Sequence, residues 1–474
     1  MNKLLLVLLL TLSSLISAQN IQEMGAHQQQ SLEFGNIKKF TAEFDKSEKS
    51  IVPINTKSTK TLSKIVFGFL PYWEYANGAH NNIHYDLLTH IAVFDFQVSA
   101  SGSISYPDGW PWTDVINTAH AQNVKIIMAI TNFIADDIHT LLTSSSSKNT
   151  FFNNIKNIIT NYQLDGVNID FENINSADRG TLLNTFMADL TNYIHNNIPG
   201  SEVSFDSPAV NWGGWDLNEL CNSVDYLFIM GYDYNGSWSD YTGAVAPLTN
   251  TSGGICVTKS LDNDYSQPIA NFPEKLILGV PYYGKHWETS SSVANAPVTN
   301  YMGSTLYRDT ADEVNTYGGY IWDNNSQTSW YCWNSSGWNQ VWADNEQSLN
   351  LKYDLAINKN LGGIGIWALN YDGNKNELWD LIANKFDSAL LISDHDIEKH
   401  LKLYPNPVKD DLYILTPAQF NITRIEVFTS YGQKIMDCPV MNNPIDLHNL
   451  SNSIYFIKIS DDSNIALTYK IIKL

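Results

Sequence analysis

Eight short apolar runs, separated by segments with a helical period, constrain the fold of this chain more than any other feature of its sequence. Each run has the length and the β-branched and aromatic content of a buried strand. The runs are IVFGFL (65–70), HIAVFDF (90–96), VKIIMAI (124–130), LDGVNIDFE (164–172), EVSFDSPAV (202–210), VDYLFIMGYD (224–233), KLILGVPYYG (275–284) and GGIGIWALNYD (362–372). A helical spacing of apolar residues recurs between them, at 113–122, 150–162, 177–196 and 345–357.

Strands that alternate with helices form parallel sheets, and eight such units favour a closed (β/α)8 TIM barrel. A doubly wound open sheet is the competing architecture. It lacks support because the first run is followed by GFLPYWEY (68–75) and not by a glycine-rich phosphate-binding fingerprint. Between the seventh and eighth runs, the aromatic-rich residues 287–342 are expected to form an elaborated loop at the strand-end face of the barrel.

The composition changes on both sides of the barrel region. Residues 1–18 combine Lys3, an apolar run and small residues before Gln19, the pattern of a secretory signal peptide. Residues 19–64 are polar and show no sustained period, which indicates a polar spacer or pro-segment. We therefore divide the rest into a barrel domain at 65–387, a linker at 388–400 and a small antiparallel β-sandwich-like domain at 401–474.

The charge balance limits the partners that this chain can bind. There are 28 Lys and Arg against 49 Asp and Glu, a net charge of -21, and such a surface repels phosphate backbones and anionic lipid headgroups. Beyond the signal peptide, no segment approaches the roughly 18 uninterrupted apolar residues of a membrane span. We expect no nucleic-acid partner, no membrane span, and a monomer that is secreted or held at the cell surface.

Cysteine usage does not indicate a disulfide framework. The four cysteines are scattered along the chain, so a single Cys221–Cys256 bridge and unpaired buried thiols are equally open. We expect neither a metal nor an organic cofactor.

The fourth run combines a core-like strand with a polar face. Its polar members are Asn168, Asp170 and Glu172, which alternate with apolar residues. Polar residues at the C-terminal end of a barrel strand point towards the mouth, where barrel enzymes hold their active sites. Glu172 is best placed to act as a general acid, because the nearby charge of Asp170 raises its pKa. The alternative is a group of acids that cap helices or pair with Lys or Arg.

These residues resemble the signature of glycoside hydrolase family 18, the chitinases and their relatives. The family signature has Asp-Gly, then Asp or Asn, Asp and Glu at a spacing of two. Three further runs resemble family motifs in the same order: FIMGYDYNGSW (228–238), LILGVPYYG (276–284) and GGIGIWALNYD (362–372). The resemblance extends from about Val66 to Lys385 and agrees with the barrel architecture.

The resemblance implies a retaining hydrolase of β-1,4-linked N-acetylglucosamine polymers such as chitin, in which the substrate supplies its own nucleophile. It assigns to Glu172 the role of acid and then base, and to Asp170 a hydrogen bond from the acetamido N–H. Tyr232 would donate to the acetamido carbonyl, with Asp233 supporting the same pocket. Trp367 would stack beneath the sugar.

Other aromatic residues are expected near the barrel mouth. Aromatic rings grip the faces of sugars, and the side chains in question follow the first, fifth and sixth runs. For each, packing and a sugar platform remain equally open; they are Trp73, Trp212, Trp215 and Trp238.

Two departures from the family pattern bear on the substrate. Asn168, which we group with the substrate-binding residues, stands where many chitinases carry a third Asp, so the relay behind Asp170 is expected to differ. The third run reads IMAITNF (127–133), without the Ser-x-Gly-Gly of many chitinases. Alternatives to chitin are therefore an endo-N-acetylglucosaminidase acting on peptidoglycan or N-glycans, and a non-catalytic chitin-binding lectin. Lectins of this fold typically lose the terminal acid, whereas Glu172 is present.

The C-terminal residues resemble a type IX secretion sorting domain. LYPNPVKDDLYI (403–414), SIYFIKI (453–459) and the terminal KIIKL (470–474) carry this resemblance. It implies secretion machinery as a partner, in addition to a polysaccharide that contains N-acetylglucosamine. A small carbohydrate-binding β module is the alternative.

Overall fold

The computed structural model describes residues 25–35, 50–58, 60–387, 401–415, 422–438, 444–461 and 466–474. Two compact units divide the chain between Lys385 and Phe386. The predicted signal peptide and the predicted linker at 388–400 lie outside the described residues, as does part of the predicted spacer at 19–64.

The first unit contains the closed parallel barrel that the eight apolar runs predict. Its strands are β1 (Ile65–Pro71), β2 (His90–Val98), β3 (Lys125–Asn132), β4 (Gly166–Phe171), β5 (Glu202–Ser207), β6 (Tyr226–Ile229), β7 (Leu276–Pro281) and β8 (Gly363–Trp367). Each strand pairs in parallel with the next, and β8 pairs with β1 to close the barrel. A short strand, Ile104–Ser105, adds to β2 in antiparallel orientation.

Helices follow most of the barrel strands and cover the outside of the barrel. The described helices are Tyr72–Ala76, Thr113–Ala121, Ala135–Thr143, Ser145–Tyr162, Thr181–Asn197, Leu217–Ser223, Val257–Lys259, Ser266–Asn271, Tyr307–Glu313, Glu346–Asn358 and Glu377–Phe386, with short 3-10 or π turns at Ala79–Asn81, Tyr85–Leu87, Ser260–Asp264, Pro273–Lys275 and Val314–Tyr317. All four helices predicted from periodicity are present. Within the part of the chain that the structure describes, no helix combines the length and apolarity needed to cross a bilayer.

Local chemistry explains where these helices begin. The helix Glu346–Asn358 starts at Asn345, whose side chain accepts a hydrogen bond from the Ser348 backbone N–H, while the Ser348 hydroxyl accepts one from the Asn345 N–H. This reciprocal capping satisfies two N–H groups that the helix itself leaves without partners. Leu349 and Tyr353, four residues apart, are buried on one face of the helix.

The aromatic-rich segment between β7 and β8 forms a sheet, whereas the sequence predicts an elaborated loop. Five antiparallel strands build it: Tyr283–Thr289, Val298–Leu306, Ile321–Asp323, Thr328–Asn334 and Trp338–Ala343. Trp287, Trp330 and Trp342 are buried together with Ala244. Many of the aromatic residues therefore form the core of this inserted sheet, which is why the segment has regular structure.

The C-terminal unit is antiparallel, as predicted. One sheet contains Lys402–Tyr404, Asp411–Leu415 and Ile445–Asp446; the other contains Ile422–Thr429, Lys434–Cys438, Ile454–Asp461 and Ala466–Ile472. Alternating apolar residues form its core, among them Val427, Ile457 and Ile459.

One described helix, Ala26–Phe34, lies within the segment that the sequence predicts to be a spacer or pro-segment. It belongs to the same compact unit as the barrel. Four of its nine residues are buried, although three of the four are polar: His27, Gln29 and Gln30. This N-terminal helix reaches the candidate site.

Candidate active site

Two acids at the end of β4 lie together in a buried site at the mouth of the barrel. Asp170 is within β4, and Glu172 follows Phe171, the last residue of the strand. Asp170 is 0% exposed and Glu172 is 5% exposed. The structure thus brings together the two side chains that the sequence nominates as catalytic acids.

The surroundings of these acids favour their protonated forms. Burial, followed by the charge of Asp170, raises the pKa of Glu172 to about 8 against the opposing effect of His27. Burial, followed by the charge of Asp95, raises the pKa of Asp170 well above its usual value. Glu172 can therefore hold a proton at neutral pH, which is what a general acid requires.

Asn168 contacts the next strand of the barrel. Its side-chain amide donates to the Ser204 hydroxyl at 3.0 Å and to the Asp206 carboxyl at 2.8 Å, both on β5. Burial and the charge of Asp170 raise the pKa of Asp206, while the hydrogen bond from Asn168 opposes this rise. Asn168 therefore favours the charged form of Asp206, a buried acid that the sequence did not indicate as a site residue.

Tyr232 and Asp233 lie just beyond β6, at the same face of the barrel. Tyr232 is buried, and this burial together with neighbouring acids keeps its pKa well above the usual value, so that its hydroxyl stays protonated. The Tyr283 hydroxyl donates to Asp233 at 2.5 Å, and the Lys285 ammonium lies 3.5 Å from its other oxygen. Asp233 is thus held by two side chains of the inserted sheet.

The predicted aromatic residues differ in their exposure. Trp367 ends β8 and is completely buried. Trp73 is also buried, and its indole N–H donates to the Tyr371 hydroxyl at 3.2 Å. Trp212, in contrast, is 73% exposed.

A cavity of about 760 Å³ opens beside Glu172. Trp212, Trp215 and Trp238 contribute to its lining, together with Tyr232 and Asp233. Three of the four aromatic residues that the sequence leaves open thus line one cavity next to the buried acids. Its size is that of a small-ligand site.

The N-terminal helix occupies the space between the acids and Trp367. The imidazole of His27 contacts Asp170 through Nδ1 at 2.8 Å and the Tyr232 hydroxyl through Nε2 at 2.7 Å. Its ring stacks on the indole of Trp367. The backbone N–H groups of His27 and Gln28 donate to the two carboxyl oxygens of Glu172 at 3.3 and 3.0 Å.

The rest of this helix is held by residues around the mouth. Gln30 accepts hydrogen bonds from the indole of Trp367 at 2.8 Å and from the Tyr371 hydroxyl at 3.0 Å. Gln29 donates to the Tyr301 hydroxyl at 3.0 Å and accepts from Lys285 at 3.1 Å. The helix is therefore joined both to the barrel and to the inserted sheet.

His27, Asp170 and Glu172 also have the spacing of a metal site. Their candidate ligand atoms lie within 4.8 Å of one another, and among the described residues no other group of three or more does so. Both ring nitrogens of His27 already have hydrogen-bond partners, and both oxygens of Glu172 accept backbone N–H groups. Direct hydrogen bonds therefore account for this cluster. His80 and His84, four residues apart in sequence, belong to no such group.

The chain matches two known protein-family models. The model of "Glycosyl hydrolases family 18" matches residues 56–372, well over half of the chain. The chain belongs to glycosyl hydrolase family 18. This confirms the resemblance inferred from the β4 motif and from the three strand-end motifs that follow it. The "Secretion system C-terminal sorting domain" model matches residues 402–474, which confirms the second resemblance.

Two named proteins are similar to part of this chain. Human di-N-acetylchitobiase is 29% identical over 265 residues, which cover 48% of this chain and 66% of that protein. The putative sporulation-specific glycosylase YdhD of Bacillus subtilis is 26% identical over 302 residues, 59% of this chain and 65% of YdhD. The match thus spans slightly less than two thirds of each relative.

Solved structures share the fold of this chain. A chitinase from Cycas revoluta in complex with allosamidin superposes with a TM-score of 0.62 at 20% identity, covering 68% of this chain and 99% of that one. The spore cortex-lytic enzyme SleL of Bacillus cereus superposes with a TM-score of 0.57 at 21% identity, covering 68% of this chain and 74% of SleL.

Several residues around this family 18 site were missed by sequence analysis. Asp206 lies in EVSFDSPAV, where the two-residue period of Ser204 and Asp206 was an available signal. His27 and Gln30 lie in the polar segment and had no such signal. Among the cysteines, Cys221, Cys256 and Cys332 are free thiols, so the Cys221–Cys256 bridge left open by the sequence is not formed.

Proposed function

We propose that this protein is a glycoside hydrolase that cleaves β-1,4 linkages in N-acetylglucosamine polymers of the chitin type. One observation carries the proposal: the Glu172 carboxyl, the Asp170 carboxyl and the Tyr232 hydroxyl all hydrogen-bond the same buried residue, His27. Their polar atoms therefore converge on one small volume. An acid, a hydrogen-bond acceptor and a hydrogen-bond donor are the three groups that a substrate-assisted mechanism needs there.

In the first step, protonated Glu172 donates its proton to the glycosidic oxygen as the bond from that oxygen to the anomeric carbon breaks. The acetamido carbonyl oxygen of the same sugar attacks the anomeric carbon and closes an oxazolinium ring. Asp170 accepts the acetamido N–H, and the positive charge that develops on the ring favours the carboxylate form of Asp170, which offsets that charge. Tyr232 donates to the carbonyl oxygen and orients it for attack.

In the second step, the Glu172 carboxylate takes a proton from water as the water oxygen attacks the anomeric carbon. The oxazolinium ring opens, the acetamido group is restored, and Glu172 is protonated for the next cycle. Two displacements at one carbon retain its configuration. No carboxylate of the protein needs to form a bond to the sugar.

Binding of the polymer follows from the aromatic residues around the acids. Trp367 would lie beneath the sugar that reacts. In the structure, the His27 ring stacks on this indole. The adjoining cavity, lined by Trp212 and Trp238, would receive neighbouring sugars of the polymer. We infer that the protein acts as a monomer outside the cell or on its surface, delivered by secretion machinery that recognises residues 402–474.

A second candidate is an endo-N-acetylglucosaminidase that cleaves peptidoglycan. It is favoured by the third strand, where Thr131 stands in the run IMAITNF and donates to Asp95 at 2.7 Å. The glycines that many chitinases carry there are absent. The similarity to a putative sporulation-specific glycosylase points in the same direction.

Product analysis on three substrates tests the proposal. Chitin oligomers, purified peptidoglycan and a high-mannose glycoprotein are each incubated with the protein, and the products are identified by mass spectrometry. Cleavage of chitin oligomers with retention at the anomeric carbon supports the leading candidate. Cleavage of peptidoglycan alone supports the second, and binding of chitin oligomers without cleavage of any substrate overturns both in favour of a lectin.

A further inference from the structure

We propose that residues 25–35 are an intramolecular inhibitor of this chain, which binds in the active site as a mimic of the substrate. The inference rests on the proposed function for the identity of the group that is mimicked. The occupation of the site is independent of that function, because it follows from the contacts of the segment alone.

The hydrogen bonds of His27 match those expected of an acetamido group. A neutral imidazole carries one donor and one acceptor on its edge, as an amide does. We assign the ring proton to Nδ1, because the Asp170 carboxyl accepts there, and the Tyr232 hydroxyl then donates to Nε2. These are the two partners that the mechanism assigns to the carbonyl oxygen and the N–H of the substrate.

The ring of His27 also takes the place of the sugar on Trp367. The ring centroids are 3.7 Å apart and the planes differ by 24°. His27 is completely buried, and Trp367 is buried beneath it. No sugar can stack on this indole until the imidazole leaves.

The backbone of the segment engages the general acid. Both oxygens of Glu172 accept N–H groups, from His27 and Gln28. A Cβ at Gly25 would lie 2.3 Å from one of these oxygens, so any larger residue there must displace the Glu172 carboxyl or move the segment away. The segment thus covers Glu172, the Asp170–Tyr232 pair and Trp367 at once.

Side chains further along the helix anchor it over the inserted sheet. Glu33 accepts from the Tyr301 hydroxyl at 3.4 Å and from the Ser304 backbone N–H at 3.3 Å. Gln30 is completely buried and spans Trp367 and Tyr371. The buried face of this helix is polar, which suits a polar catalytic site better than an apolar core.

Tethering makes such a segment an effective competitor. A segment that is covalently joined to its own binding site has an effective concentration on the order of millimolar. A substrate must then compete with this local concentration, so inhibition should raise KM more than it lowers kcat when the segment exchanges rapidly. Removal of the key contacts should increase kcat/KM by about tenfold or more.

Point variants in the full chain test the proposal without altering the catalytic residues. Gly25→Val places a side chain against Glu172, and His27→Ala removes the imidazole. Leu32→Ala is the matched control, since Leu32 is on the same helix and is 58% exposed. We expect kcat/KM on N-acetylglucosamine oligomers to rise at least tenfold in the first two variants and to stay unchanged in the control. Near-ultraviolet circular dichroism checks that the barrel is folded in each.

A peptide-binding measurement keeps the test informative if no substrate is cleaved. The 11-residue peptide GAHQQQSLEFG, residues 25–35, is titrated into the Gly25→Val protein by calorimetry, beside a peptide with His27→Ala. Preferential binding of the natural peptide supports occupation of the site even if the proposed function fails. Equal kcat/KM in wild type and variants overturns the inhibition, and equal or absent binding of both peptides overturns the occupation. If a chelator abolishes binding of the natural peptide, a metal ion holds the segment in the site, and the explanation by direct hydrogen bonds is overturned.

Discussion

The imidazole of His27 lies on the indole of Trp367, with ring centroids 3.7 Å apart. The two residues are 340 positions apart in the sequence. Their contact joins a polar segment at the N-terminus to the last strand of the barrel. It also identifies the face of Trp367 that is available to a ligand, because a flat ring is already stacked on it.

Replacing Trp367 by Ala is expected to weaken the binding of both the N-terminal segment and the substrate at this face. Removal of the indole takes away the stacking surface and the donor to Gln30. Aromatic stacking of this kind contributes about 0.5–1.5 kcal/mol, so a loss in substrate affinity of up to about tenfold is expected from stacking alone.

The measurement is kcat/KM on N-acetylglucosamine oligomers in the His27→Ala background, where release of the segment does not mask the loss. Trp322→Ala, in the inserted sheet, is the control for loss of an indole elsewhere. If Trp367 only fills space, Trp367→Ala would lower the melting temperature and leave kcat/KM unchanged.

Glu172→Gln is expected to abolish hydrolysis while binding is retained. The amide keeps the size of the side chain but cannot deliver a proton, and general acid catalysis contributes about 10²–10⁴-fold to rate. We expect kcat to fall by at least that range. Glu219→Gln, on an exposed helical position, is the control. Full activity of the Glu172→Gln protein would refute the mechanism.

The barrel could be predicted because parallel strands covered on both faces have continuous apolar sequences. β4, for example, is buried along its whole length, from Gly166 to Phe171. The inserted sheet could not be predicted in the same way, because its Trp and Tyr residues form a second core beyond the barrel. Some of its strand partners are distant in sequence, as for Trp287 and Gln340.

The occupied state of the active site could not be predicted from periodicity. Hydrophobic periodicity reveals a helix that packs on an apolar core. The N-terminal helix buries His27, Gln29 and Gln30, because the surface that it covers is made of acids, hydroxyls and an ammonium group. Asp206, in contrast, had a sequence signal in its two-residue spacing from Ser204, but its hydrogen bond with Asn168 depends on how β5 lies beside β4.

The activity should depend on pH through the proton on Glu172. Its pKa is raised to about 8, so the acid form required in the first step is present below that pH and is lost as the pH rises through it. We therefore expect kcat to fall on the alkaline side near pH 8, provided that bound substrate buries Glu172 as the segment does.

The cause of the raised pKa can be tested separately. The charge of Asp170 is the second contribution after burial, so Asp170→Asn should move the alkaline limb of the residual activity to lower pH. Asp165→Asn, at the N-terminal end of the run LDGVNIDFE (164–172), is the control. An alkaline limb that stays in place in the Asp170→Asn protein would mean that the two acids are not coupled.

Asn168→Asp should shift the pH–rate profile through Asp206. The substitution removes the donor that Asn168 offers to Asp206 and Ser204, and sets a second carboxyl against the first. A like charge so close favours the protonated form of one acid, and the raised pKa of Asp206 should rise further. Since Asp206 interacts with Asp170 and Glu172, the change should reach the proposed catalytic pair.

The profile of kcat against pH and the thermal midpoint, measured on Asn168→Asp and on Ser204→Ala, check this prediction. Loss of a buried hydrogen bond costs about 1–3 kcal/mol when a partner is left unsatisfied, so both proteins should be less stable. Only Asn168→Asp should also shift the profile, because only it adds a charge. An unchanged profile in Asn168→Asp would mean that the position stabilises β5 without any coupling to Asp170 and Glu172, the acids proposed to carry the chemistry.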